Sequence, residues 1–264
     1  VLPETRISLE VDPKNRAKIQ TERGSYDLMA KAPEEFPQPL VQENPKDIII
    51  PGKDFKDIIS ATSFAVSRDE LKPALTGVLF KFTEEGLVAV STDGHRLVRH
   101  KRKSFVSKSF QGEVIIPKKF LSYMSAYLSQ DEVVLSIGES HLSAKIKNDI
   151  VSTRIIGEKF PDYESVIPKE NNKEFKSEKD VLLGAIKRVS IFSNKSTHQV
   201  AMSLSSGSCQ ITTEDPEKSS KAVESVEATF EGENLIIGYN AEYLKDVVNH
   251  IPGKTILIKF NTPV

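Results

Sequence analysis

With 264 residues, the chain is long for one average domain and sufficient for two. Lysine and arginine number 36 against 37 aspartates and glutamates, and 38% hydrophobic with 28% charged residues exclude a disordered or fibrous chain. The single cysteine, Cys209, excludes a disulfide framework and a cysteine zinc site, and no apolar run approaches the ~20 residues of a membrane helix.

The chain begins Val1-Leu2-Pro3 without an initiator methionine or a signal peptide, and it stops at Thr262-Pro263-Val264 in mid-pattern. A piece of a longer protein, from a reducing cytosolic setting, is the expectation.

In chain order, alternating apolar and polar residues predict half-buried strands. They fall at Ile7–Val11, Leu75–Phe82, Leu87–Val90, Glu132–Ile137, His141–Ile146, Val151–Ile156, Val200–Leu204 and Thr255–Phe260. Turn pairs such as Glu85-Gly86, Asp93-Gly94, Gly138-Glu139 and Ser206-Gly207 separate many of them. Four segments have helical spacing instead. The first, from Lys53 to about Val66, turns Phe55, Ile58, Ile59, Thr62 and Ala65 inward; the second, Lys118–Leu128, uses Phe120, Leu121, Met124 and Leu128. The third, from Glu178 to about Phe192, uses Val181, Leu182, Ala185, Val189 and Phe192, and the fourth, Ala241–His250, uses Tyr243, Leu244, Val247 and Val248.

These helices start near 53, 118, 178 and 240, so successive starts lie 65, 60 and 62 residues apart. Their approaches match as well: Ile48-Ile49-Ile50-Pro51, Val114-Ile115-Ile116-Pro117 and Leu235-Ile236-Ile237 lead into the first, second and fourth. A fixed period of this size marks a repeat of strand, helix and about three strands. One such unit cannot bury both its helix and its sheet, so units are expected to pair into two-layer α+β domains. Residues 1–45 read as the back half of one domain, 46–168 as a complete domain and 169–264 as a third, cut before its end. The polar run Lys169-Glu170-Asn171-Asn172-Lys173 after Pro168 is the linker candidate.

Among the motifs, Thr92-Asp93-Gly94-His95-Arg96-Leu97 is the most unusual. Asp-Gly between alternating runs is a hairpin signal, because both turn positions favour positive φ. A hydrolase would use Asp93 and His95 as an acid–base pair, but no nucleophile or metal cluster accompanies them, and the other histidines are scattered at 100, 141, 198 and 250. The stretch is expected to form the lip of a binding site. Just beyond it, Arg99, His100, Lys101, Arg102 and Lys103 extend a basic run from Arg96, either a solvated strand end or a contact for phosphates or an acidic partner. Lys53, Lys56, Lys118, Lys119, Lys179, Lys187 and Arg188 recur on the predicted helices, mostly opposite their apolar faces. Repeated helices would present them as one basic surface, suited to loose tracking of a polyanion. Phosphate loops, paired catalytic carboxylates, metal motifs and nucleophile elbows are absent, so neither an enzyme nor a cofactor is expected.

The TDGHRL string at 92–97, followed by Gly157-Glu158-Lys159-Phe160-Pro161-Asp162-Tyr163, resembles the bacterial sliding-clamp family, the beta subunits of DNA polymerase III. Ala61-Thr62-Ser63 and Leu75-Thr76-Gly77-Val78-Leu79-Phe80 support the likeness, which extends over essentially the whole chain. The resemblance implies a DNA-clamp fold with three similar domains, helices inside a ring and sheets outside, closed by two chains head to tail. Six units of ~62 residues would make a chain of roughly 370.

The resemblance further implies a partner-peptide pocket of Leu75, Thr92, Gly94, His95, Arg96, Leu97, Pro161 and Val166, joined by Asn240, Tyr243 and Val264. Ser165 departs from a common pattern in which some clamps carry a basic residue there. Lys53, Lys56, Lys72, Lys118, Lys119, Lys187 and Arg188 would face DNA, and Tyr26 and Leu28 of one chain would meet Ile191 and Phe192 of the next. The function implied is a non-catalytic processivity factor of the bacterial cytoplasm and nucleoid. It would encircle double-stranded DNA without reading sequence, need no metal or membrane, and hold polymerase, clamp loader and repair proteins by a short peptide. A peptide-binding adaptor that never encircles DNA is the alternative.

Overall fold

A computed structural model describes residues 4–36 and 43–261, and the chain divides into two compact units between Gln42 and Glu43. The first unit is an antiparallel meander of β1 (Ser8–Val11), β2 (Arg16–Thr21) and β3 (Gly24–Met29). Asp12 shapes its first turn, accepting the backbone N–H groups of Lys14 and Arg16 at 2.8 and 2.9 Å. Register aligns Leu9, Ile19 and Tyr26 in one row and Val11, Ala17 and Leu28 in the next, so all six side chains share a face. Within the unit that face stays open, and Leu9, Val11, Tyr26 and Leu28 are exposed.

The second unit carries the repeat. Its first half runs β4 (Lys46–Pro51), α1 (Gly52–Thr62), β5 (Gly77–Thr83), β6 (Gly86–Thr92), β7 (Leu97–Arg102), β8 (Gly112–Pro117), α2 (Lys118–Tyr127), β9 (Glu132–Ile137), β10 (His141–Ile146) and β11 (Asp149–Arg154). The strands form two antiparallel sheets, ordered β7-β6-β5-β8 and β11-β10-β9-β4. The strand that opens each repeat therefore joins the sheet of the other repeat. β4 pairs with β9 and β8 with β5, which interlocks the two units, so neither forms its sheet alone. Both helices pack on these sheets: Phe55 and Ile58 of α1 and Leu121 and Met124 of α2 join Ile50, Phe80, Ile116 and Leu135 in one buried cluster.

The exchange recurs in the second half. There β12 (Lys173–Glu178), α3 (Lys179–Ser190), β13 (Gln199–Ser205), β14 (Ser208–Asp215), β15 (Ser220–Glu227) and β16 (Thr229–Glu231) precede β17 (Leu235–Asn240), α4 (Ala241–His250) and β18 (Thr255–Phe260). The sheets are β15-β14-β13-β17 and β16-β12-β18, around a separate core that includes Phe175, Leu182, Ile186, Met202, Ile211 and Val248.

Several predicted boundaries move. The strand expected from Leu75 begins at Gly77, since Pro73–Leu75 is a short 3-10 turn. α1 ends at Thr62 and tightens into a 3-10 turn at Ser63–Ala65, where the Ser91 hydroxyl donates to the Thr62 carbonyl at 2.7 Å. α3 stops at Ser190, leaving Phe192 half exposed; it buries Leu183 and Ile186, and Val181 points outward. Here a wide apolar stripe placed the period correctly but its centre one residue early.

Candidate functional site

The predicted two-residue hairpin turn at Asp93-Gly94 is a four-residue loop. Thr92 pairs directly with Leu97, and Asp93–Arg96 bridge them. Side chains of the loop fold it locally. Asp93 Oδ1 accepts the N–H groups of His95 and Arg96, both at 3.0 Å, while Thr92 Oγ1 accepts from Gly94 N at 3.0 Å and donates to the Arg96 carbonyl at 2.7 Å. Gly94 supplies φ +91°. The Asp93 carboxylate is thus occupied by backbone and by Arg96 Nε at 3.1 Å, and it serves as a structural clasp rather than as a free base.

Arg96 is the centre of the arrangement. Besides Asp93, its guanidinium donates to Asp246 Oδ2 on α4 at 2.7 Å and to the Phe64 carbonyl after α1 at 3.0 Å. Its planar fork also lies over the rings of Phe64 and Tyr243, at 5.3 and 4.9 Å. Two aromatic contacts run alongside: His95 stacks on Tyr243 at 5.6 Å, and Phe64 stacks on His250 at 4.0 Å. Together these join the β6–β7 loop and the end of α1 to α4, where the two cores meet.

The segment after β11 forms the opposite wall. Ile156 N donates to the Ile115 carbonyl at 3.0 Å, pinning the chain across the outer face of the β7-β6-β5-β8 sheet. Phe160 and Tyr163 then bury against Leu79, Val90 and Ile115, their rings edge to face at 6.3 Å. Burial of the Tyr163 hydroxyl raises its pKa. Asp162 accepts from Glu164 N at 3.2 Å, and its carbonyl accepts from the Ser165 hydroxyl at 2.8 Å, which turns the chain so that Val166 stands exposed. The FPDY string thus acts as an anchor, with its two aromatics inward and Pro161 and Val166 presented.

Between the walls lies an open groove of about 700 Å³ that brings together Leu75, Thr92, Gly94, His95, Arg96, Leu97, Pro161 and Val166. It meets a second, more apolar cavity of about 690 Å³ at His95 and Arg96, lined by Asn240, Tyr243, Leu244 and Val247. Asn240 has a second task as the N-cap of α4, accepting from Glu242 N at 2.9 Å and Tyr243 N at 3.4 Å. Val264 lies outside the described residues. Sequence reasoning missed Arg99, Tyr163, Ile167, the α4 residues Leu244 and Val247, and Ile251 just after that helix as lining groups. The apolar stripe of α4 was visible, but its task as a cavity wall depends on the halves meeting. A groove with apolar walls, a few polar groups and no metal or nucleophile can hold an extended peptide.

The basic residues are distributed differently from the groove. Lys53, Lys56 and Lys187 project from α1 and α3, exposed, and Lys56 Nζ reaches the Leu128 carbonyl at 3.4 Å. Lys118 and Lys119 open α2, the first half-buried and the second exposed. Lys72 is on the loop before β5 rather than on a helix; with Arg68, Arg96 and Lys118 it lines a polar cavity of about 750 Å³. Burial, and then the charges of Arg68 and Arg96, lower the pKa of Lys118. Arg188 is held by two N–H bonds to Glu224, and that pairing keeps the Glu224 carboxyl below its ordinary range. At the end of α3, Ile191 is 77% exposed and Phe192 half exposed.

Two family models match consecutive stretches: the central domain of the DNA polymerase III beta subunit over residues 49–162, and its C-terminal domain over 164–264. The chain is 30% identical over 253 residues to the beta sliding clamp of Proteus mirabilis, covering 94% of this chain and 68% of that one. A DNA polymerase sliding clamp from Bacillus subtilis superposes with a TM-score of 0.88 at 30% identity, over 97% of this chain and 68% of that one. A Bartonella birtlesii clamp bound to griselimycin gives 0.90 at 25% identity, over 100% and 72%. The chain spans about two thirds of the length of the curated relatives it matches.

Proposed function

We propose a function that proceeds from one finding: the chain belongs to the DNA polymerase III beta subunit family, the bacterial sliding clamps, which are non-catalytic processivity subunits. On this reading the whole protein encircles duplex DNA in the bacterial cytoplasm and tethers the replicative polymerase, the clamp loader and repair proteins by short peptides seated in the groove.

The observation that carries the reading is the meeting of the two cores at Arg96. There the residues from 75 to 97, from 161 to 166 and from 240 to 243 form continuous cavity walls of a size suited to a peptide. Relatives of known structure hold griselimycin, and the groove is where a ligand of that kind would sit here. Division into clamp domains at 45/46 and 168/169 fits the two separate cores of the second unit. Lys53, Lys56, Lys72, Lys118, Lys119, Lys187 and Arg188 are the DNA-facing groups of this reading. Scattered lysines contact phosphates without base readout, the weak and uniform attraction that sliding needs. Head-to-tail closure would set the open apolar face bearing Tyr26 and Leu28 against Ile191 and Phe192 of a second chain.

The test is retention on nicked circular DNA after loading by the cognate clamp loader. Protein that stays on circles and leaves once they are cut to linear form is topologically linked, as proposed. Equal retention on both forms overturns encirclement. No retention on either, with an active loader, leaves a peptide-binding adaptor. Neutralising the DNA-facing lysines together should weaken loading.

A further inference from the structure

We propose that the groove selects partner segments carrying carboxylates beside their apolar anchor, through a row of cations on β7 and β5. This inference rests on the groove being a peptide site, and it adds the chemistry of what flanks the anchor.

The basic run from Arg96 to Lys103 is divided by the pleat of β7. Successive side chains alternate faces. Arg102 turns toward α1, where it pairs with Asp54 and Asp57, while Leu97 and Arg99 turn toward the groove and line it. Lys101 follows on the same face, exposed, and among the described residues it has no carboxylate within ion-pair distance. Leu97, Arg99 and Lys101 thus lead outward from the apolar wall in steps of about 7 Å, the repeat of every second residue in an extended peptide.

The row continues sideways. Lys101 lies opposite Val88, Val88 opposite Lys81, and Lys81 opposite Glu113. Lys81 pairs with Glu113 at 3.0 Å, and Arg99 with Glu164 at 3.6 Å. Glu164, on the chain's own outer segment, marks where a carboxylate settles in this row. Asp162 also lines the groove and opposes the field, so the excess positive charge is concentrated at Lys101 rather than at the groove floor. An extended segment whose apolar side chains fill the walls at Leu75, Leu97 and Val166 would carry its second and fourth neighbours past Arg99 and Lys101. Acidic side chains there would pair; basic ones would be repelled.

The experiment uses short fluorescein-labelled peptides with a two-leucine anchor, chosen for the apolar walls at Leu75, Leu97 and Val166, flanked on either side by Asp and Glu or by the matched Asn and Gln. Fluorescence polarisation is followed by displacement with griselimycin. An acidic flank on one side should tighten binding about five-fold near 0.1 M salt, and the advantage should vanish near 1 M, where screening is complete. Lys101→Glu should abolish the advantage while leaving the neutral peptide's affinity and the melting temperature unchanged, and Lys101→Arg should preserve it. Equal binding of acidic and neutral peptides, both displaced by griselimycin, overturns the inference and leaves the peptide site standing. A preference for acid that survives Lys101→Glu also overturns it. If neither peptide nor griselimycin binds, the peptide-site reading fails and the inference falls with it.

Discussion

Arg96 and Asp246, 150 residues apart in sequence, form the charged contact that ties the β6–β7 loop to α4, at 2.7 Å. The side chain of Arg96 is 13% exposed and that of Asp246 48%, so the contact sits at the rim of the meeting cores, partly shielded from water. Arg96 also satisfies Asp93 and the Phe64 carbonyl, which no other cation in the loop reaches.

Arg96→Lys should therefore cost about 1–3 kcal/mol, because a lysine cannot reach three acceptors with a planar fork. Asp246→Asn removes one half-exposed partner and should cost less than about 1 kcal/mol. Denaturant titration of both single variants and the double should give a non-additive cycle. Strict additivity would mean that the two halves meet without this pair.

The outer segment separates stability from recognition. Phe160 is buried on the sheet, so Phe160→Ala should cost about 3 kcal/mol and loosen the wall that presents Pro161 and Val166. Val166 is exposed, and Val166→Ala should change stability by less than about 0.5 kcal/mol while weakening griselimycin binding. Calorimetry against ligand titration checks both. A Val166 variant that binds normally would remove that side chain from the groove.

Much of this was legible because the repeat is written in local patterns. Pro51 and Pro117 end their strands and open α1 and α2, and α4 occupies the range its apolar spacing gave, with Asn240 as its cap. The strand exchange was not legible: β4 and β9 pair from Lys46 with Ile137 to Pro51 with Glu132, far apart in the chain, and nothing in either alternation names its partner. The same applies to Arg96. TDGHRL reads as a turn, but its acceptors Asp246 and Phe64 lie on other elements, and only the folded chain brings them together. Phe160 and Tyr163 stand out in the sequence as a motif, whereas their work as an anchor depends on a sheet face far from them in the chain.

Two glycines offer a comparison of backbone against space. A Cβ added at Gly94 or at Gly157 would meet nothing within 4 Å, so neither position is small for packing reasons. Gly94 has φ +91°, and no such conformation marks Gly157. Gly94→Ala should thus cost about 1 kcal/mol and disturb the loop that holds His95 and Arg96, whereas Gly157→Ala should be neutral or slightly stabilising. Parallel urea melts decide it; equal costs would mean that loop strain is absent.

His100 gives the chain a dependence on pH. It lies on β7, half-buried, with Nε2 enclosed and without a hydrogen-bond partner. Burial first, and then the charge of Arg102, lower its pKa, with Asp57 opposing them. In the unfolded chain an imidazole takes up its proton near about 6.5. The folded state binds that proton less readily, so His100 leaves stability intact above this value and removes it as the pH falls through about 6.5 and below. Wild-type protein should lose more melting temperature between about pH 7.5 and 5.5 than His100→Gln, which carries no titrating ring. The difference between the two drops isolates His100 from the carboxylates that titrate lower. Identical drops would mean that the ring gains compensating contacts when charged, and the charge of Asp57, which favours the protonated ring, is the group to provide one.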